Sequence, residues 1–252
     1  VREIEDPTEL MKFWDHIVEL HDELGGFAHI RTCPERVNVD VQISAGLFHA
    51  GYPMQGPQGA CRGVTDLTPL RQQGNWGWFH ELGHESQRRP DKAWSWDNPY
   101  TFDGSIEATV NLFSAHAYNR LGISPKGGWA WTVDPKQVAE KARKATDAKT
   151  PYAKADVGTK LAMFLQLRDA FGWEPIAAVL KSYSDDQSKD PNLLPKNPQA
   201  ERDEFLIRMS RQAKHDLYPF LHDLWGIEIT PEARQKTADL KPWMPEGFGV
   251  SK

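Results

Sequence analysis

Only two cysteines, Cys33 and Cys61, occur in 252 residues. That excludes a disulfide framework and a four-cysteine zinc site, and leaves room for one optional bridge. No apolar stretch approaches the ~18 residues that a membrane-spanning helix needs, because charged residues, glycine or proline interrupt each one. Positive charge is not in excess either: the net charge is −5. Nucleic acid and anionic membrane surfaces, which call for a basic face, are therefore not expected partners, and no membrane insertion is expected. The start of the chain shows no charged segment followed by an apolar one, and it begins at Val1 rather than Met. The expectation is a piece of a longer protein without a visible targeting signal.

Aromatic residues, in contrast, are plentiful. Ten Trp, eleven Phe and six Tyr are too many for a disordered chain. With 39% hydrophobic residues they supply a core for one sizeable domain. So many indoles also suit a ligand that stacks on flat rings.

Punctuation along the chain predicts a mainly helical fold with a small β element near the N-terminus. Asp6-Pro7 caps a helix whose Leu10, Phe13, Trp14, Ile17 and Leu24 recur at helical spacing before Gly25-Gly26 stops it. Val37, Val39 and Val41 alternate with polar residues, as in a half-buried strand over 36–42. Residues 44–64, rich in glycine, read as a long loop, either functional or an Ω-loop. Helices are expected at 77–87, 105–121, 134–148, 157–171, 174–184, 201–213, 216–225 and 230–240. A loop or short strand is expected at 123–133 and a surface loop at 185–200.

His80-Glu81-Leu82-Gly83-His84 carries the chemistry. On a helix, residues four apart share a face, so both imidazoles can reach one metal ion, and neutral imidazole is a common zinc donor. Glu81 follows the first histidine and can take a proton from metal-bound water without itself being a ligand. The same pentapeptide also fits a surface helix with two solvated histidines, so a third donor from another element is needed to discriminate. Glu107 supplies one. On its helix Glu107, Asn111, Ser114 and Tyr118 form a polar stripe among Ile106, Val110, Leu112, Phe113 and Leu121. Such a stripe calls for an internal partner. The alternative is a solvated carboxylate in the first helical turn, favoured there by the helix dipole.

Trp78-Phe79-His80-Glu81-Leu82-Gly83-His84, followed by Glu107-Ala108-Thr109-Val110-Asn111-Leu112-Phe113-Ser114, resembles the enhancin-like zinc metallopeptidases, the mucin-cleaving peptidase family M60. The resemblance extends to Asp40–Gly46, His49-Ala50-Gly51-Tyr52-Pro53, Phe171-Gly172-Trp173-Glu174, Asp216-Leu217-Tyr218-Pro219-Phe220 and Leu224-Trp225-Gly226, in order along nearly the whole chain. It implies an α+β, predominantly helical catalytic domain of the gluzincin type spanning residues 1–252, cut from a longer multidomain protein. It implies one Zn2+ per chain on His80, His84 and Glu107, with Glu81 as general base. The implied substrate is an O-glycosylated, mucin-like protein. The implied protein is a secreted or cell-surface bacterial enzyme, monomeric, with additional glycan-binding domains elsewhere in its full length.

Where the family carries an aromatic residue before Asp216, this chain has Lys214-His215. His215 could donate to a developing oxyanion, or it could simply pack near the C-terminal helices. Trp94 and Trp96, between the two ligand-bearing segments, are candidates for a sugar-stacking rim, with Asn111 and Tyr118 as further substrate contacts. His16, His21 and His29 are expected to face solvent. Two other readings stand beside the mucin peptidase: a glycan-binding module with a non-catalytic zinc site, and a zinc peptidase without a glycan requirement. An intact Glu81 speaks against the first, and cleavage of a mucin before and after glycan removal separates the second.

Overall fold

The computed structural model describes residues 4–27, 31, 33–43, 47–87 and 98–248. Helix α1 (Pro7–Gly25) starts where Asp6 Oδ1 accepts the Glu9 N–H at 3.0 Å and ends at Gly26 with φ +67°. Strands β1 (Val37–Asp40) and β2 (Met54–Pro57) pair in parallel, Val37 opposite Met54 and Asp40 opposite Pro57. His49 bridges Gln55 in the antiparallel sense. β1 is shorter than the valine pattern predicts. Asp40 Oδ1 accepts the Gln42 N–H at 2.9 Å and turns the chain, which leaves Val41 68% exposed.

β2 lies inside the stretch expected to be a loop. Its Met-Gln-Gly-Pro sequence has no strand propensity, and pairing with β1 holds it extended. Gly56 is required there by proximity: a Cβ would sit 2.6 Å from the Trp78 ring. After two short helices, α2 (Arg62–Thr65) and α3 (Leu67–Gln73), come α4 (Trp76–Gln87) and α5 (Ile106–Leu121). The helices α6 (Pro135–Asp147), α7 (Val157–Phe171), α8 (Glu174–Lys189), α9 (Pro198–Ala213) and α10 (Pro231–Gln235) follow.

Several boundaries differ from the expectations. Helix α8 runs through 185–189, where Asp186 meets Arg208 of α9 at 2.7 Å. Residues 127–133 form 3-10 turns, 219–224 a π-helical turn, and the last helix ends at Gln235. His21, expected in solvent, is fully buried, with its ring nitrogens 2.8 Å from the carbonyl oxygens of Ile17 and Phe79. His16 is exposed as expected, and His29 lies outside the described residues. Cys33 and Cys61 are both free thiols, so the optional bridge does not form.

Helix α5 is the axis of the molecule, and every residue from Ala108 to Tyr118 is buried. One side of it packs with Leu10, Phe13, Ile17, Trp78, Phe79 and Leu82 of α1 and α4. The other packs with Leu161, Phe164, Leu180, Tyr183 and Phe205 of α7 to α9. The crossing of α4 over α5 is close because residue 83 has no side chain. A Cβ at Gly83 would lie 2.9 Å from Val110 Cγ2 and 3.0 Å from Phe113 Cβ, both in a filled core. Gly83→Ala is therefore expected to destabilise the fold by about 1–3 kcal/mol, measured by denaturant unfolding. Unchanged stability would contradict the close crossing.

Candidate metal centre

Asn75 Oδ1 accepts the Trp78 N–H at 3.2 Å and opens α4, whose face then presents Trp76, His80, His84 and Gln87 in succession. The two imidazole rings lie with centroids 4.8 Å apart and planes at 90°. Glu107 enters from the first turn of α5. His80 Nε2 is 3.2 Å from its Oε2, and His84 Nε2 is 3.6 Å from its Oε1.

Which ring nitrogen faces Glu107 follows from the hydrogen bonds on the far side of each ring. The Trp76 indole N–H can only donate, and it reaches Asn111 Oδ1 at 2.8 Å. The Asn111 amide nitrogen therefore points the other way and donates to the Glu107 carbonyl at 2.7 Å. His80 Nδ1, 2.9 Å from that same Oδ1, must carry a proton, which leaves Nε2 to act as a donor atom toward a metal. The second histidine is treated alike. Gln87 gives its amide hydrogens to Thr109 Oγ1 at 2.6 Å and the Ile106 carbonyl at 3.3 Å. Its Oε1 accepts from His84 Nδ1 at 3.1 Å. Both imidazoles are thus held in the tautomer a metal ligand needs.

The donor set fits a metal ion by size as well as chemistry. His80, His84 and Glu107 offer ligand atoms within 4.8 Å of one another. Tetrahedral zinc with bonds of ~2.0–2.1 Å places neighbouring donors roughly 3.3 Å apart, the separation the two N–O pairs show. With no metal bound, the rings can donate to Glu107 through Nε2 only when doubly protonated, and those hydrogen bonds hold the Glu107 carboxyl well below the usual carboxylate range, against partial burial. Burial resists a charge on His80, but its hydrogen bonds to Glu107 and Asn111 and the nearby Glu81 raise its pKa overall. Glu81 is half-buried, and that burial lifts its pKa against the pull of the histidines, while the backbone N–H of Ala50 donates to it.

The structure brings ligand atoms of His80, His84 and Glu107 within 4.8 Å of one another, with Glu81 next to His80 on α4. It uses Asn111 and Tyr118 differently from the expectation that they contact substrate. Both are buried, and the Tyr118 hydroxyl donates to the Gln73 carbonyl at 3.0 Å. His215 packs on Phe171 at 5.5 Å, with Nδ1 donating to the Ala213 carbonyl at 2.9 Å. Trp94 and Trp96 lie outside the described residues. Sequence reading missed Trp76, Gln87 and the Ala50 backbone. The first two could have been found, since they precede and follow the histidine pair on one helical face.

The sequence matches the family described as Peptidase M60, enhancin and enhancin-like, over residues 1–226. Among curated proteins it is similar to TRPM8 channel-associated factor 2 of Bos taurus, 31% identical over 243 residues, covering 96% of this chain and 25% of that protein. The Homo sapiens counterpart is 28% identical over 247 residues, covering 98% of this chain and 25% of that protein. The chain thus spans about a quarter of the length of these relatives. These animal relatives overturn the expectation of a bacterial protein and point to a eukaryotic source.

Among solved structures, a conserved protein of unknown function from Bacillus anthracis superposes with a TM-score of 0.75 at 24% identity, over 96% of this chain and 48% of that one. A metallopeptidase from Bacteroides thetaiotaomicron gives 0.67 at 18%, over 94% and 43%. A metallopeptidase in complex with Tn antigen gives 0.63 at 18%, over 96% and 47%. The shared fold is that of these helical metallopeptidases, and the family implies a metal ion.

Metal analysis of the purified protein is expected to find one bound divalent ion per chain. His84→Ala is expected to lose it. Unchanged occupancy in that variant would remove His84 from the centre.

Proposed function

This chain belongs to the enhancin and enhancin-like peptidases, family M60, and on that premise we propose that it is a zinc-dependent endopeptidase. Its class is the gluzincin, its substrate the backbone of O-glycosylated, mucin-like proteins, and it acts as one catalytic domain of a longer chain. His80, His84 and Glu107 would hold the zinc, and Glu81 is the general base. One observation carries the reading. Two imidazoles with their Nδ1 atoms engaged turn both Nε2 atoms onto one carboxylate, at 3.2 and 3.6 Å.

Bound zinc supplies an acidified water and a polarised carbonyl. The protein's own groups do the rest. Glu81 sits one residue past His80 on α4, so its carboxylate lies beside the donor set without belonging to it. Glu81 would first accept a proton at a carboxylate oxygen and then deliver it to the departing amine nitrogen. The Ala50 N–H orients that carboxylate. Gln87 and Asn111 keep the ligand rings from turning. Side-chain exposure of 56% at Glu107 and 17% at His80 leaves the centre open on one side for a polypeptide.

One observation supports a glycoprotein as substrate: a structure of the same fold is a metallopeptidase in complex with Tn antigen. Trp94 and Trp96 are proposed to stack on sugar. A second reading, a binding module with a non-catalytic metal site, draws on the relatives named as channel-associated factors. The presence of Glu81 beside a complete donor set favours catalysis, since binding alone has no use for a base.

Mucin digestion separates these readings. The wild-type protein is expected to cut an O-glycosylated mucin and to spare the same mucin after glycan removal. Glu81→Gln is expected to slow cleavage at least ~10²–10⁴-fold while keeping its zinc. Cleavage by that variant near the wild-type rate would overturn the mechanism. Equal cleavage of the deglycosylated mucin would overturn the substrate class alone.

A further inference from the structure

Asn111 is 1% exposed, and its carboxamide meets three groups at once. The oxygen accepts from the Trp76 indole at 2.8 Å and from His80 Nδ1 at 2.9 Å, and the nitrogen donates to the Glu107 carbonyl at 2.7 Å. Few side chains can do this. A carboxylate would set an oxygen against the Glu107 carbonyl, and an aliphatic group would take the acceptor away from the part-buried Trp76 N–H and His80 Nδ1. The amide therefore joins the ring of one ligand to the backbone of another, across the two helices that carry them.

Trp76 decides which way that amide points. Its ring stacks with Trp129, with centroids 4.6 Å apart and planes at 6°, and with Tyr118, at 5.5 Å and 26°. Held in these two stacking contacts, the indole presents its N–H toward Asn111 Oδ1. Rotation of the amide by half a turn would bring two N–H donors face to face and abolish the acceptor for His80.

We propose that Asn111, fixed by the indole N–H of Trp76, is the positioning residue of the metal centre, presenting His80 Nε2 and holding the Glu107 turn in register with it. This role rests on the metal-binding reading above. A purely structural part for the same residues would show differently: it would lower the stability of the metal-free protein and leave the zinc affinity of the folded molecules unchanged.

The test is a zinc titration against a competing chelator, with thermal unfolding of each metal-free protein alongside. Asn111→Leu removes the amide at nearly constant volume. Trp76→Phe keeps a ring in the stack and removes only the N–H. Tyr118→Phe is the control, since it removes the hydroxyl bond to the Gln73 carbonyl from the same stack without touching Asn111. Zinc affinity is expected to fall ~10–100-fold in Asn111→Leu, the range for a lost partner behind a ligand. A fall of about 10-fold, the lower end of that range, is expected in Trp76→Phe, and no change in Tyr118→Phe. If Asn111→Leu fails to fold, Trp76→Phe decides the matter. Affinities within twofold of wild type in Asn111→Leu and Trp76→Phe would overturn the positioning role and leave the metal site standing. A wild-type protein that takes up no zinc would overturn both.

Discussion

The approach of α4 to α5 at Gly83 is the contact on which the chemistry of this fold rests. Two helices that meet through a glycine can lie closer than two that meet through larger side chains, and here the backbone of α4 lies against Val110 and Phe113. At that separation a histidine pair from one helix and a carboxylate from the first turn of the other come within a single metal ion's reach. The same closeness lets short amide side chains bridge the helices directly: Asn111 from α5 to α4, and Gln87 from α4 to α5. Packing and coordination are thus one arrangement, and neither can be altered without the other.

Both outer partners of the histidines are neutral amides, and this has an electrostatic consequence. A carboxylate behind each ring would raise ligand basicity but would add buried negative charge beside Glu107 and Glu81. Amides orient the rings with no added charge. Each amide is fixed in turn by a group whose hydrogen-bonding sense cannot reverse: an indole N–H for one, a backbone carbonyl for the other. The direction of every proton in the centre follows from these two ends. Partial burial of Glu81 is the main influence that lifts its pKa in the metal-free protein.

The parts of this structure written in local pattern were legible in the sequence. Two histidines four apart need only a helix to share a face, and Glu107, Asn111 and Tyr118 of the α5 polar stripe meet internal partners in His80, Trp76 and the Gln73 carbonyl, while the buried Ser114 hydroxyl meets none among the described residues. Asp6-Pro7 and Gly122 mark helix ends through chemistry confined to a few residues. Features that depend on distant segments were not legible. The strand β2 owes its extended form to β1, and Gly56 in it answers to the Trp78 ring rather than to a turn. His21 looked like a surface histidine because its partners, the Ile17 and Phe79 carbonyls, leave no mark on side-chain periodicity. Tyr118 looked like a cleft residue for a related reason: a polar atom on a helix face does not reveal whether it meets ligand or backbone.

The central claim is that one zinc ion sits between His80, His84 and Glu107. X-ray absorption at the zinc edge of the zinc-loaded protein addresses it without reference to any substrate. The expected spectrum has four nitrogen or oxygen neighbours at ~2.0–2.1 Å, with outer-shell scattering from two imidazole rings. A shell of sulfur at ~2.3 Å, or an all-oxygen shell with no imidazole signature, would contradict it.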